Sequence, residues 1–327
     1  MMLDKIKLLL GQDWTGTQEL IHSSLKSDID LLDQTNEAIL STGGKRLRPM
    51  LSLLVARACR QGALPEDSIC FAAASELLHN ATLLHDDVAD NSSFRRGVPT
   101  VKSLLGGPAS VLIGDFWLVR AMELILSSKT YGATVIRVFA KTLSDLAEGE
   151  MLQLQKATGC DTTEDDYFRI IYSKTASLFE AAGVSAAISV GASEELTESV
   201  RDYCVSLGIA FQIRDDMLDY SADGSLGKPV GADLDEQKIT LPLLGVLRSV
   251  DQKEADRIRS MVLSVPEKPE NKDVLRDMVF SRGGYEYAAS RLEEYAGKAI
   301  SALQNLPESE EKCYLAQIAS FTVKRER

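Results

Sequence analysis

Two groups of aspartates in this chain share one spacing. Asp86-Asp87-Val88-Ala89-Asp90 and Asp215-Asp216-Met217-Leu218-Asp219 each read D-D-x-x-D. On a helix, residues three and four apart lie on one face. His79, Thr82, Asp86 and Asp90 then form one polar row, and Gln212, Asp216 and Asp219 another. Carboxylates one turn apart can bridge a hard divalent cation. Mg²⁺ in particular favours a few carboxylates completed by phosphate oxygens over an all-protein cage. A solvated acidic helix end explains either group alone about as well. The pair is harder to explain that way, because two such groups brought together repel unless cations sit between them. A multi-metal diphosphate site removes the conflict, with ions clamping the oxygens of a departing group.

Positive charge accompanies both groups. Arg95-Arg96-Gly97 follows the first at a turn, where guanidinium forks can meet phosphate. Gly43-Gly44-Lys45-Arg46-Leu47-Arg48-Pro49 is a glycine turn leading into a helix, with three cations within four residues. Cations at a helix start oppose the macrodipole, so a purely structural role suits them poorly. Lys228 and Lys238 follow the second group, although a lone lysine is more often surface decoration. His79 shares the aspartate face and reads as a ligand-contacting residue, whereas His85 points elsewhere and reads as structural. No Ser-His-Asp or Cys-His arrangement is suggested, and Gly106-Gly107 is too bare for a nucleotide loop.

The elements that must position these residues read as helices. Apolar positions 77, 78, 81, 84 and 88 follow a 3.6-residue period through the first group. Val205, Ile209, Ile213 and Met217 make an i+4 stripe into the second. Thr134, Val135, Ile136 and Val138 are β-branched, but the segment continues through Ala, Leu, Glu, Met and Gln without a break and reads as helix. Breaks fall at Gly97-Val98-Pro99, Thr158 to Thr163, Ala222 to Gly231 and Val265 to Lys272. No repeat, low-complexity tract or long linker interrupts the pattern. The expectation is one all-α domain over residues 1–327, built as a large bundle.

The chain has 327 residues, 45% apolar and 26% charged, and can bury a sizeable core. Its net charge of −12 argues against nucleic acid as partner, since phosphate binding along a duplex needs a basic face. No run of eighteen apolar residues suggests a transmembrane segment. The opening stretch has a short apolar core and an early Asp4, unlike a secretory signal. Five scattered cysteines with no C-x-x-C pair fit neither a disulfide scaffold nor a zinc site. A soluble cytoplasmic protein is expected.

Taken in order, the motifs resemble a known family, the trans-type (E-) polyprenyl diphosphate synthases, in their long-chain, octaprenyl-like branch. They are G-G-K-R-L-R-P at 43–49, L-L-H-D-D-V-A-D at 83–90, R-R-G at 95–97, G-D-F at 114–116 and G-E-M-L-Q-L at 149–154. K-T-A at 174–176, F-Q-I-R-D-D-M-L-D-Y at 211–220, G-K-P-V-G at 227–231 and K-I-T-L-P at 238–242 complete the series. The resemblance implies an isoprenoid-synthase helical bundle around a deep central cavity, with the aspartate clusters facing each other at its mouth. It implies a prenyltransferase that joins an allylic diphosphate to isopentenyl diphosphate head to tail, in trans geometry, releasing diphosphate, and that works as a homodimer. By the same resemblance Asp86, Asp90 and Asp216 hold Mg²⁺ and Asp87, Asp215 and Asp219 assist, with about three ions bridged by the substrate diphosphate. Lys45, Arg48, His79 and Arg96 bind isopentenyl diphosphate. Arg95, Lys174 and Lys228 bind the allylic diphosphate, and Lys238 approaches it. Thr175 and Gln212 turn oxygens to the allylic cation.

In that family, bulky residues just before the first cluster block the growing tail. Ala81 and Thr82, the fifth and fourth residues before Asp86, are small. This implies a long product, about C30 to C50, in a cavity lined by apolar side chains. A deeper floor giving a C15 to C20 product, or a place as one subunit of a heteromeric synthase, stays open. A terpene cyclase of the same fold needs no second diphosphate pocket, so Lys45, Arg48, His79 and Arg96 argue against it. A non-catalytic regulatory subunit would be expected to lose one cluster, and a ligand-free bundle leaves both unexplained. The basic tail Lys324-Arg325-Glu326-Arg327 reads as solvated, with an approach to the isopentenyl diphosphate site allowed by the family.

Overall fold

The computed structural model describes residues 2–42, 44–60, 62–95, 97–221 and 231–324. Internal contacts group the chain into two compact units. The first comprises Met1–Lys141, Glu180–Arg201 and Leu303–Leu315; the second comprises Thr142–Phe179, Asp202–Ala302 and Ala316–Arg327. Both are helical, as expected.

The first unit opens with α1 (Met2–Leu10), α2 (Gln12–Ser24), α3 (Asp30–Ser41) and α4 (Leu47–Cys59), followed by α5 (Glu66–Ala89). From Cys70 to Leu78 every α5 side chain is buried. A helix buried all round needs neighbours on several sides, and α5 has them, α2, α4 and α7 (Gly107–Ser127) among them. Between α5 and α7 lie a two-by-two hairpin, β1 (Phe94–Arg95) against β2 (Val98–Pro99), and the short α6 (Val101–Leu105). The hairpin occupies the turn expected around Gly97.

Close approach of α5 and α7 depends on Gly114. A Cβ there would lie 2.4 Å from His85 Nε2 and 3.2 Å from the Ala81 carbonyl oxygen. His85 Nε2 uses that space to reach the Val111 carbonyl at 3.3 Å and Asp115 Oδ1 at 3.2 Å. The Ser110 hydroxyl donates to the Leu84 carbonyl at 2.8 Å. Together these bonds fix the polar end of α5, where the first cluster lies.

The second unit contains most of α8 (Gly132–Gly159), then α9 (Glu164–Ile171), a π-helical turn (Tyr172–Ala176) and the start of α10 (Ser177–Ser189). The last two-thirds of α11 (Glu194–Tyr220) follows, with α12 (Ala232–Asp235), α13 (Leu241–Ser249), α14 (Gln252–Leu263), α15 (Glu270–Ser281) and α16 (Gly284–Ala302). The end of α17 (Glu310–Lys324) also belongs to it. The β-branched stretch at 134–138 is helical within α8. Ile209, Ile213 and Met217 of the expected α11 stripe are buried in one core with Tyr167, Ile171 and Tyr220, and Val205 packs against it.

A capping box starts α9. Thr163 accepts the Asp166 N–H, and the Asp166 carboxylate accepts the Thr163 N–H. The π-turn that follows is accommodated by two glycines on neighbouring helices. A Cβ on Gly149 would lie 2.5 Å from Ser173 Cβ, and one on Gly208 would lie 2.5 Å from Ala176 Cα. Among the described residues no helix is long and apolar enough to cross a membrane. None of the five cysteines forms a disulfide.

Candidate active site

In the first unit the cluster occupies the last turn of α5, with Asp90 as its C-cap. Asp90 is exposed and Asp86 partly so, but Asp87 is buried and faces the protein. Arg95 Nε donates to Asp87 Oδ1 at 2.8 Å. Burial pushes the Asp87 carboxyl up, and the Arg95 charge and hydrogen bond oppose that rise. Asp87 therefore anchors the hairpin that carries Arg95. Arg96 lies outside the described residues.

The glycine-led basic run divides by role. Arg46 takes a left-handed backbone (φ 45°), and its guanidinium donates to the Leu40 carbonyl at 3.0 Å. A cation satisfying the last turn of α3 is favourable for that helix. Lys45 is exposed, and Arg48 is half-buried in the first turn of α4. His79 is half-buried on α5, Ala81 is buried, and the Thr82 hydroxyl donates to the His79 carbonyl at 2.9 Å.

In the second unit the π-turn and α11 bring four predicted residues together. The Thr175 hydroxyl donates to Gln212 Oε1 at 2.7 Å. Gln212 Nε2 donates to Asp216 Oδ1 at 2.8 Å, and the Tyr167 hydroxyl donates to Asp216 Oδ2 at 2.7 Å. Lys174 Nζ pairs with Glu150 at 2.6 Å and donates to Gln153 Oε1 at 3.0 Å. Burial pushes the Asp216 carboxyl up to about 7; the bonds from Tyr167 and Gln212 pull it down, and the neighbouring carboxylates Asp215 and Asp219 push it up. Tyr167 is raised well above an ordinary phenol by burial and by the Asp216 charge.

The third aspartate of this cluster serves the backbone. Asp219 accepts the Ala232 and Asp233 N–H groups at 3.1 and 3.0 Å, closing the start of α12. This brings Asp233 beside the cluster, where burial and the charges of Asp216 and Asp219 raise its carboxyl well above the usual range and Lys238 opposes them. Lys238 is mostly covered and ion-paired with Glu236. Lys228 lies outside the described residues. A cavity of about 120 Å³ within this unit is lined by Gln153, Tyr167, Lys174, Gln212, Asp216, Asp233, Lys238 and Thr240, among others. Its wall thus mixes carboxylates, lysines and neutral oxygens, a lining able to hold an anion through cations and to face positive charge with oxygen.

Tyr167, Asp233 and the Glu150–Gln153 pair were not expected at the site. The box Thr163-x-x-Asp166 marks the start of a helix and could have drawn attention to Tyr167 on its first buried turn. Asp233 arrives only through the bend closed by Asp219, which has no local signature.

As to a metal, every side chain offered by the two clusters is a hard oxygen donor, which suits Mg²⁺ or Ca²⁺. Among the described residues no group of three or more carboxylate, histidine or cysteine side chains is gathered closely enough to hold a metal ion by itself.

Comparison with known proteins agrees with the geometry. Residues 29–279 match the Polyprenyl synthetase family. The chain is 42% identical to the octaprenyl diphosphate synthase of Escherichia coli (strain K12) over the whole of both chains. It is similar to a solved polyprenyl synthase from Caulobacter crescentus CB15, complexed with calcium and isoprenyl diphosphate: TM-score 0.91, 35% identity, 99% of this chain and 98% of that one. A solved decaprenyl diphosphate synthase from Rhodobacter capsulatus matches with TM-score 0.91 and 34% identity over 99% of each chain. Motif order, all-helical fold and full-length similarity converge, and the chain belongs to the polyprenyl synthetase family.

Proposed function

We propose that the protein is a magnesium-dependent trans-polyprenyl diphosphate synthase. It extends an allylic diphosphate with isopentenyl diphosphate to a long product, about C30 to C50, inside an apolar cavity. The observation that carries this reading is the hydrogen-bonded row Thr175–Gln212–Asp216 beside Lys174, neutral oxygens next to a lysine, as an allylic cation leaving a diphosphate would require. The full-length likeness to an octaprenyl diphosphate synthase supports the long product over a short one, as do the small residues Ala81 and Thr82.

Carboxylates of the two clusters would hold magnesium, and Asp90, exposed, with Asp86 and Asp215, partly exposed, can offer oxygens outward. The ions would supply positive charge to the leaving diphosphate. Lys174 and Lys238, with Arg95 and Lys228, hold the allylic diphosphate and stabilise the charge that develops as its C–O bond ionises. Thr175 and Gln212 direct oxygens at the allylic cation, and the apolar surroundings keep water from quenching it. Lys45, Arg48, His79 and Arg96 hold isopentenyl diphosphate so that its double bond attacks the cation. Loss of a proton to the released diphosphate then restores the alkene.

The protein is read as one synthase domain over residues 1–327, cytoplasmic and homodimeric. Five cysteines without a disulfide suit a reducing compartment, and an exposed aliphatic stripe on α7 suits self-association. Purified protein given Mg²⁺, farnesyl diphosphate and labelled isopentenyl diphosphate is expected to yield lipid-extractable label in the C30 to C50 range. EDTA should abolish it. No incorporation with allylic primers of several lengths would overturn the reading, and incorporation only after adding a second subunit would establish the heteromeric version.

A further inference from the structure

Asp216 differs from its neighbours in facing wholly inward: it is 5% exposed, while Asp215 and Asp219 remain partly exposed. Each of its oxygens meets one protein donor, the Tyr167 hydroxyl or the Gln212 amide. Both oxygens act as acceptors, and Gln212 turns its NH₂ group toward Oδ1. The amide oxygen then faces Thr175, and the single hydroxyl hydrogen of Thr175 goes to that oxygen. Thr175 is left with lone pairs alone for any other partner. The two acceptor oxygens at one end of the row thereby fix the direction of every dipole along it.

We infer that Asp216 and Tyr167 are positioning residues that orient the Gln212–Thr175 pair toward the allylic cation, Asp216 acting through Gln212 and not as a ligand of the metal. The inference rests on the proposed prenyl transfer. Tyr167 is suited to the part because it lies 3% exposed on the first buried turn of α9, where the capping box and the neighbouring Phe168 ring hold it. Its hydroxyl supplies the second donor that keeps the inward carboxylate in one rotamer.

Asp216→Asn tests the orientation, since an asparagine keeps the shape but presents an NH₂ group. With the Tyr167 hydroxyl on the asparagine oxygen, that NH₂ meets Gln212 and forces its amide to flip. The Thr175 hydrogen is then released outward, toward the cation. At saturating substrate and Mg²⁺, kcat is expected to fall about 100-fold or more, the scale of one misdirected dipole at a developing charge. Affinity for Mg²⁺ with inorganic diphosphate, read by titration calorimetry, should fall far less than kcat, by about tenfold at most, since the variant removes a charge near the ions but no ligand. Tyr167→Phe keeps the Gln212 bond and should lower kcat about tenfold, with KM for the allylic diphosphate unchanged.

A fall in Mg²⁺–diphosphate affinity parallel to the fall in kcat would make Asp216 a metal ligand and overturn the inference, as would unchanged kcat in both variants. If Asp216→Asn does not fold, as judged by its melting curve, Tyr167→Phe decides alone: unchanged kcat, or a matching loss of Mg²⁺–diphosphate affinity, overturns it. A wild-type chain inactive with every primer sinks the functional reading itself, whereas an active wild type with either contrary variant sinks only this inference.

Discussion

Lys174 stands in two competing environments, one present in the structure and one supplied by substrate. Glu150 lies 2.6 Å away, the two side chains being 28% and 22% exposed. An ion pair this accessible contributes about 1 kcal/mol at most, but the carboxylate also repels an incoming diphosphate. Glu150→Gln should therefore lower KM for the allylic diphosphate about three- to tenfold, with kcat little changed. A raised KM would mean that Glu150 aims the lysine more than it competes for it. Only part of this contest was legible in the sequence. The D-D-x-x-D spacing and the lysine-threonine pair stand in contiguous motifs and can be read directly. Asp87 and Asp216 look equivalent to their neighbours in sequence, yet both are buried while Asp86, Asp90, Asp215 and Asp219 are not. That distinction arises from the helix face each one occupies and from what packs against it, which spacing alone leaves open.

The same contrast holds for elements. Periodicity located the helices because each buries a stripe, and the stripe is written in the residues themselves. It gave no sign of the π-turn at Tyr172–Ala176, where neither glycine nor proline occurs. The features that permit it lie elsewhere, on α8 at Gly149 and on α11 at Gly208. π-Turns mark places where a helix departs from its regular path, frequently at functional sites, and this one carries Lys174 and Thr175. Gly208→Ala would set a methyl group 2.5 Å from Ala176 Cα and 2.8 Å from its Cβ. Backbone cannot yield as a flexible side chain does, so overpacking of about 1–3 kcal/mol is expected. The melting temperature should fall by about 2–4 °C for each kcal/mol, and turnover should drop more than about tenfold as Thr175 moves off Gln212. Gly297→Ala on α16, with nothing within 4 Å of the added carbon, is the control. It should be neutral or stabilising by up to about 1 kcal/mol. Equal losses in both variants would refute the role given to Gly208.

At the scale of the whole molecule, a chain of net charge −12 presents a line of large aliphatic side chains on its own surface. Leu112, Val119 and Leu126 on α7 are 69%, 51% and 58% exposed, and Val111 beside them is 38% exposed. Seven-residue spacing drifts only about 20° per step around a helix, so the three form one stripe roughly 21 Å long. Isolated exposed leucines need no explanation, but an ordered stripe has the pattern of a helix awaiting a partner helix. The partner proposed is α7 of a second copy, since a two-fold dimer pairs one surface patch with itself. Light scattering of the purified protein should then give twice the chain mass. Leu112→Asp combined with Val119→Asp should halve it, because a carboxylate in such a seam loses its water without gaining a cation. If the stripe instead serves no interface, the wild type will run as a monomer and the double variant will differ from it only in solubility. If self-association runs through another face, the variant will remain a dimer. Activity of the separated chain would further show whether each copy carries a complete site of its own.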